Sequence, residues 1–119
     1  MSDIVMKAVG IILARKGSIR IKNKNLISFK NHPLIYWTIL TAIKAKIFDK
    51  IYLSTDSQKI INYTKKNFKK IIINKRPKIL AKSDTTSDVV IRYLIKKFKI
   101  EKNKYIILLE PTAPLRKIE

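Results

Sequence analysis

Four short apolar runs, each ending in a polar loop and separated by segments of helical period, constrain this chain more than anything else in it. Lys7 to Ala14, Lys50 to Ser54, Lys70 to Asn74 and Tyr105 to Leu109 are brief and evenly apolar, so they read as buried strands. Between the first two, Leu34, Ile35, Ile39, Ala42 and Ile43 recur at helical spacing from Leu34 to Ala45. Pro33 suits the start of that helix because it has no N–H to leave unpaired. Asp56 or Ser57 can cap a second helix running through Asn67, with Ile60, Ile61 and Tyr63 to Thr64 inward. A third spans Ser87 to Phe98, with Val90, Tyr93, Leu94 and Phe98 inward. Repeated βα units of this size predict an α/β three-layer sandwich, a mainly parallel sheet with helices on its faces. The run Tyr105 to Leu109 is apolar enough to be a central strand. One domain, residues 1–119, is the ceiling for this length.

Ligands of parallel sheets bind at the carboxyl ends of the strands. The polar clusters of this chain fall there: Arg15 to Asn25, Ser54 to Asp56, Arg76-Pro77, and Glu110 to Arg116. Their agreement favours one shared site over four unrelated loops. The first cluster, within GIILARKGSIRIKNKN (Gly10 to Asn25), joins an apolar strand to a small cationic loop. Such a loop offers backbone N–H groups and positive charge together, the pairing that binds phosphate. It is not a Walker A loop, since no GxxxxGK[ST] spacing occurs, and Gly10 and Gly17 are the only glycines, which excludes a dinucleotide fingerprint.

The formal net charge of +19 raises the question of nucleic acid. Of the 27 basic residues 22 are lysine, scattered among many Ile and Asn residues as an AT-rich coding sequence would give. That pattern reads as a solvated surface that adheres to polyanions at low salt, with no specific nucleic-acid partner. Cysteine is absent, so no disulfide framework, thiolate nucleophile or cysteine-bound zinc exists. The opening MSDIVMKAVGIILA has an acid ahead of its apolar run, and that run is shorter than the ~20 residues that span a bilayer. A first core strand, no membrane partner and a cytoplasmic location are the expectations.

The Gly10 to Asn25 loop resembles the nucleotide-binding loop of the sugar-acid cytidylyltransferases, written IPARxGSKxxPxKN. Further matches follow in family order: STD at Ser54 to Asp56, RPKILA at Arg76 to Ala81 and LLEPTAPLR at Leu108 to Arg116. The resemblance is to the N-acylneuraminate (sialic acid) cytidylyltransferases, or CMP-nonulosonic acid synthetases, including the legionaminic and pseudaminic acid branches. The KNKN ending favours this group over the CMP-Kdo synthetases. The resemblance implies a Rossmann-like fold of the nucleotide-diphospho-sugar transferase type. It implies transfer of CMP from CTP to a sugar acid with pyrophosphate leaving, Mg²⁺ as cofactor, and a homodimer for the full-length protein.

Carried onto this sequence, the family's nucleotide-binding positions are Ala14, Arg15, Gly17, Ser18, Lys24, Asn25, Arg76 and Ser87, with Arg15 and Lys24 catalytic. Arg15 would clamp the triphosphate through paired hydrogen bonds. Thr86 and Ser87 fall where relatives contact the base. Glu110 and Arg116 fall on the sugar side. Relatives commonly carry Gln at the position of Glu110; an ionised Glu can only accept hydrogen bonds and would repel a sugar carboxylate. Ile19 and Lys22 depart from the usual Lys and Pro of the loop. His32, the only histidine, stands in a turn where relatives have lysine, and Asp56 and Asp84 read as turn or cap residues. Trp37 and the tyrosines at 36, 52 and 93 read as packing.

The resemblance covers about the first half of a typical member. The Mg²⁺ ligands belong to the other half, so no metal ligand is named here, and residues 1–119 alone are expected not to turn over CTP. Two other classes remain as alternatives: a non-catalytic nucleotide-binding remnant, and a basic nucleic-acid-binding module.

Overall fold

The computed structural model describes residues 8–15, 28–82, 84–101 and 104–110. In chain order its elements are β1 (Ala8–Ala14), β2 (Ser28–Phe29), β3 (His32–Pro33), α1 (Leu34–Ala45), β4 (Phe48–Thr55), α2 (Gln58–Asn67), β5 (Ile71–Lys75), α3 (Ser87–Phe98) and β6 (Tyr105–Leu109). β5, β4, β1 and β6 lie side by side in that order, and every neighbouring pair is parallel. The chain steps outward from β1 to β4 to β5, then crosses through α3 to the other side of β1. This reversal opens a crevice at the carboxyl ends of the strands beside β1.

Strand alternation divides the core into two layers. Ile12, Ala14 and Leu53 pack with Ile35 and Ile39 of α1 and Ile60 of α2 on one face. Val9, Ile11 and Tyr52 pack with Val90 and Leu94 of α3 on the other. Because β1 is covered on both faces, AVGIILA carries no polar position. The three-layer expectation therefore holds, and α1 and α3 have the bounds the sequence predicts.

Three details differ from the sequence reading. β4 begins at Phe48: Ala8 pairs with Phe48 and Val9 with Lys50, which leaves Asp49 as an extra residue in a bulge. Asp49 ion-pairs with Lys104, whose amino group also lies 3.8 Å from Glu101. β6 is the outer strand among the described residues and not a central one, with Tyr105 69% and Leu108 37% exposed. β6 is apolar although its faces are only partly covered, so an apolar run does not by itself fix a strand's place in the sheet. Ile43, placed at helical spacing with the core residues, is instead 40% exposed.

Helix ends follow local chemistry. Ser57, the second of the two candidate caps, accepts a hydrogen bond at Oγ from the Ile60 N–H at 3.2 Å. β2 and β3 form a hairpin around Lys30 and Asn31, both at positive φ (50° and 70°), as a two-residue turn of right-handed twist requires. In α2, Thr64 is fully buried and its Oγ1 has no hydrogen-bond partner among the described residues. An unpaired buried hydroxyl is destabilising, whereas a methyl of the same shape is not. Thr64→Val should therefore raise stability by about 1 kcal/mol, read as a higher urea midpoint at unchanged m. A lower midpoint would show that the hydroxyl is satisfied.

Candidate functional site

Three strand ends and one helix start converge on a cleft of about 180 Å³ lined by Leu13, Arg15, Arg76, Thr85, Thr86, Ser87, Val90 and Glu110. Leu13 and Arg15 come from the end of β1, Arg76 follows β5, and Glu110 follows β6. Thr85 to Ser87 lead into α3, whose N-cap is Thr86. Leu13 packs with the α3 layer, so the cleft opens on that side of the sheet. The start of α3 thus faces the two arginines, and its first-turn N–H groups add partial positive charge.

Arg76 is the best-fixed residue of the site. Its backbone N–H donates to the Thr55 carbonyl at 2.7 Å, extending the β4–β5 ladder by one residue. Its Nε donates to Ser54 Oγ at 3.3 Å and its Nη2 to the Ser54 carbonyl at 3.0 Å. Only 5% of the residue is exposed. Burial pulls the guanidinium below its ordinary pKa; Asp56 opposes that shift and Arg15 adds to it. Arginine nevertheless stays charged in proteins. Two cations that repel one another across a cleft, one of them desolvated, form a receptor for an anion that bridges both.

The other sequence candidates divide clearly. Ser87 and Glu110 line the cleft with Arg15 and Arg76. Ala14 does not: its side chain is buried in the α1/α2 layer, on the opposite face, which leaves only its backbone for a ligand. Gly17, Ser18, Lys24, Asn25 and Arg116 lie outside the described residues. His32 stacks on Tyr36 with ring centroids 3.8 Å apart and meets Trp37 edge-on at 5.7 Å, so it is engaged in packing. Tyr52 packs against Phe98 at 4.9 Å. Asp56 does not cap α2, which Ser57 does; it lies close enough to Arg76 to support its charge.

Sequence reasoning missed the buried polar pair behind Arg76. Ser54 is fully buried and Asn74 3% exposed, and Ser54 Oγ donates to Asn74 Oδ1 at 2.9 Å. The available signal was a polar residue closing each of two apolar runs, in IYLS and IIIN. A second cavity, of about 260 Å³, lies at the amino ends of β1 and β4 beside Asp49, Tyr52, Phe98 and Lys104, away from every motif. Among the described residues no group of three His, Cys, Asp or Glu side chains could hold a metal ion, and no helix is long and apolar enough to cross a membrane.

A family model described as cytidylyltransferase matches residues 9–119. The chain is 40% identical over 96 residues to a Helicobacter pylori protein named pseudaminic acid cytidylyltransferase and UDP-2,4-diacetamido-2,4,6-trideoxy-beta-L-altropyranose hydrolase, covering 81% of this chain and 18% of that one. It is 37% identical over 112 residues to the pseudaminic acid cytidylyltransferase of Campylobacter jejuni, covering 92% of this chain and 48% of that one. With the N-acylneuraminate cytidylyltransferase of Streptococcus agalactiae it shares 33% identity over 114 residues, 94% of this chain and 27% of that one. The chain therefore spans less than half the length of these relatives. A solved structure of CMP:2-keto-3-deoxy-manno-octonic acid synthetase complexed with CTP superposes with a TM-score of 0.66 at 22% identity, over 95% of this chain and 44% of that one. At that identity the likeness is one of fold.

Proposed function

The chain belongs to the cytidylyltransferase family, and from that premise we propose that its cleft binds CTP for transfer of CMP to a nonulosonic acid, N-acylneuraminate or a relative of it. The observation that carries this reading is the convergence of Arg15, Arg76 and the start of α3 on one cleft at the carboxyl ends of the strands. In the reaction the anomeric hydroxyl of the sugar acid attacks the α-phosphorus, and pyrophosphate leaves. The enzyme's work is to hold the reactants in line and to offset charge on the phosphates. Arg15 and Arg76 would bridge phosphate oxygens, with Lys24 as a further cation and Gly17, Ser18 and Asn25 completing the loop. Ser87, with Thr86 beside it, would meet the base or ribose.

Glu110 and Arg116 would face the sugar. An ionised Glu110 accepts hydrogen bonds from sugar hydroxyls, and Arg116 would answer the sugar's carboxylate. Mg²⁺ would accompany the triphosphate and shield its charge; the described donor set does not make a Mg²⁺ site by itself. Residues 1–119 would form the N-terminal part of a single cytidylyltransferase domain, and the full-length protein would work as a homodimer in the cytoplasm, with small-molecule substrates, no membrane and no specific nucleic-acid partner.

Calorimetric titration tests it. CTP should bind the chain with measurable heat and more tightly than ATP, and affinity should fall as salt rises. We propose further that residues 1–119 alone bind CTP without turning it over. Sugar-acid-dependent pyrophosphate release from the isolated chain would refute that second part, and failure of CTP to bind at any accessible concentration would refute the first.

A further inference from the structure

Ser54 and Asn74 are register partners on β4 and β5, and both are buried on the α3 side of the sheet, next along their strands from the partners Tyr52 and Ile72. Two polar side chains at such positions are destabilising unless hydrogen-bonded, and a pair of valines would fill the space without that cost. Their hydrogen bonds run one way. The Ser54 hydroxyl gives its proton to Asn74 Oδ1, which leaves its lone pairs to accept from Arg76 Nε–H. The Ser54 carbonyl takes Nη2 of the same guanidinium. One edge of the guanidinium is therefore fixed against β4, and Nη1 has no hydrogen bond among the described residues while Arg76 lines the cleft.

We propose that Ser54 and Asn74 are positioning residues that hold the Arg76 guanidinium with its free end toward the anion of the incoming ligand. As far as the ligand is CTP, this rests on the function proposed above. An arginine ordered before binding loses less side-chain freedom when the phosphate arrives, so the relay should appear as affinity. Asn74 fixes the hydroxyl's orientation: without its Oδ1 the serine proton loses its acceptor, and the hydroxyl is free to rotate toward another one and carry its lone pairs away from the Arg76 Nε–H.

The test uses the whole chain and two readouts. In the nucleotide-free protein, the Arg76 side-chain Nε–H should give a sharp NMR signal protected from solvent exchange. Ser54→Ala and Asn74→Leu should each abolish that protection. Ser54→Ala should also weaken CTP binding about tenfold, equivalent to ~1.4 kcal/mol, and Ser54→Thr, which keeps the hydroxyl, should restore it. In an Arg76→Ala background, Ser54→Ala should have no further effect, whereas a purely structural serine would weaken binding equally in both backgrounds. An Nε–H signal indifferent to Ser54→Ala and Asn74→Leu overturns the proposal, as does equal loss in the two backgrounds. A wild-type chain that binds no CTP sinks the nucleotide reading, and the positioning claim is then decided by the Nε–H signal alone.

Discussion

Arg76→Ala should weaken CTP binding by about 100-fold and Arg15→Ala by about tenfold, with the urea midpoint of each variant measured alongside. A hydrogen bond to a charged group contributes roughly 1.5–3 kcal/mol, and each ~1.4 kcal/mol is a factor of ten in affinity. Arg76 belongs at the upper end because it is buried, where charge is poorly screened, while Arg15 is half-buried. Arg76→Lys should recover little of the loss. A lysine keeps the charge but cannot place one donor on Ser54 Oγ and another on the Ser54 carbonyl while still presenting a third to the ligand. Arg92 is the control: it is an exposed residue of α3 that lies 3.7 Å from Asp88, so Arg92→Ala should leave CTP affinity unchanged. Equal losses for Arg76 and Arg92 would mean that the nucleotide responds to net charge and to no particular site.

Leu53→Ala should have the largest effect on stability, a loss of about 2–5 kcal/mol. Leu53 is fully buried on β4, between β1 and β5, and it packs in the layer that joins Ile12 to Ile35 and Ile39 of α1 and Ile60 of α2. The neighbouring side chains are fixed by strand and helix geometry and cannot collapse fully into the space left behind. Leu108→Ala, at a position 37% exposed on the outer strand, should cost well under half as much. Urea unfolding of the two variants measures the difference. Equal midpoints would contradict the two-layer core described above.

The elements were legible in the sequence wherever period and punctuation agreed. α1 follows Pro33 and carries Leu34, Ile35, Ile39 and Ala42 at helical spacing, and α3 carries Val90 and Leu94 the same way, so each apolar stripe could be read from the sequence. The β2–β3 hairpin was not legible, because two-residue strands have no period to detect and Lys30 gives no hint of positive φ. Nor was the outer position of β6 among the described residues, since an apolar run does not show how many strands flank it.

For the candidate site, the sequence pointed to the carboxyl ends of the strands, and Arg15, Arg76, Ser87 and Glu110 line one cleft there. It could not show that Arg76 is buried: an arginine just after a strand ordinarily reads as solvated. That burial depends on Ser54, twenty-two residues earlier, being brought alongside by strand register. Ala14 was read from its place in a motif, and alternation along β1 sends its side chain to the opposite face.

The central claim is that CTP occupies the cleft at the carboxyl ends of β1, β5 and β6. A titration of the isotope-labelled chain with CTP, followed through its backbone amide resonances, tests it most directly. The largest shifts should fall on Arg15, Arg76, Thr85 to Ser87 and Glu110, the residues that line the cleft. Shifts centred on Tyr52, Phe98 and Lys104 around the opposite cavity, or spread along the lysines of α2, would contradict it.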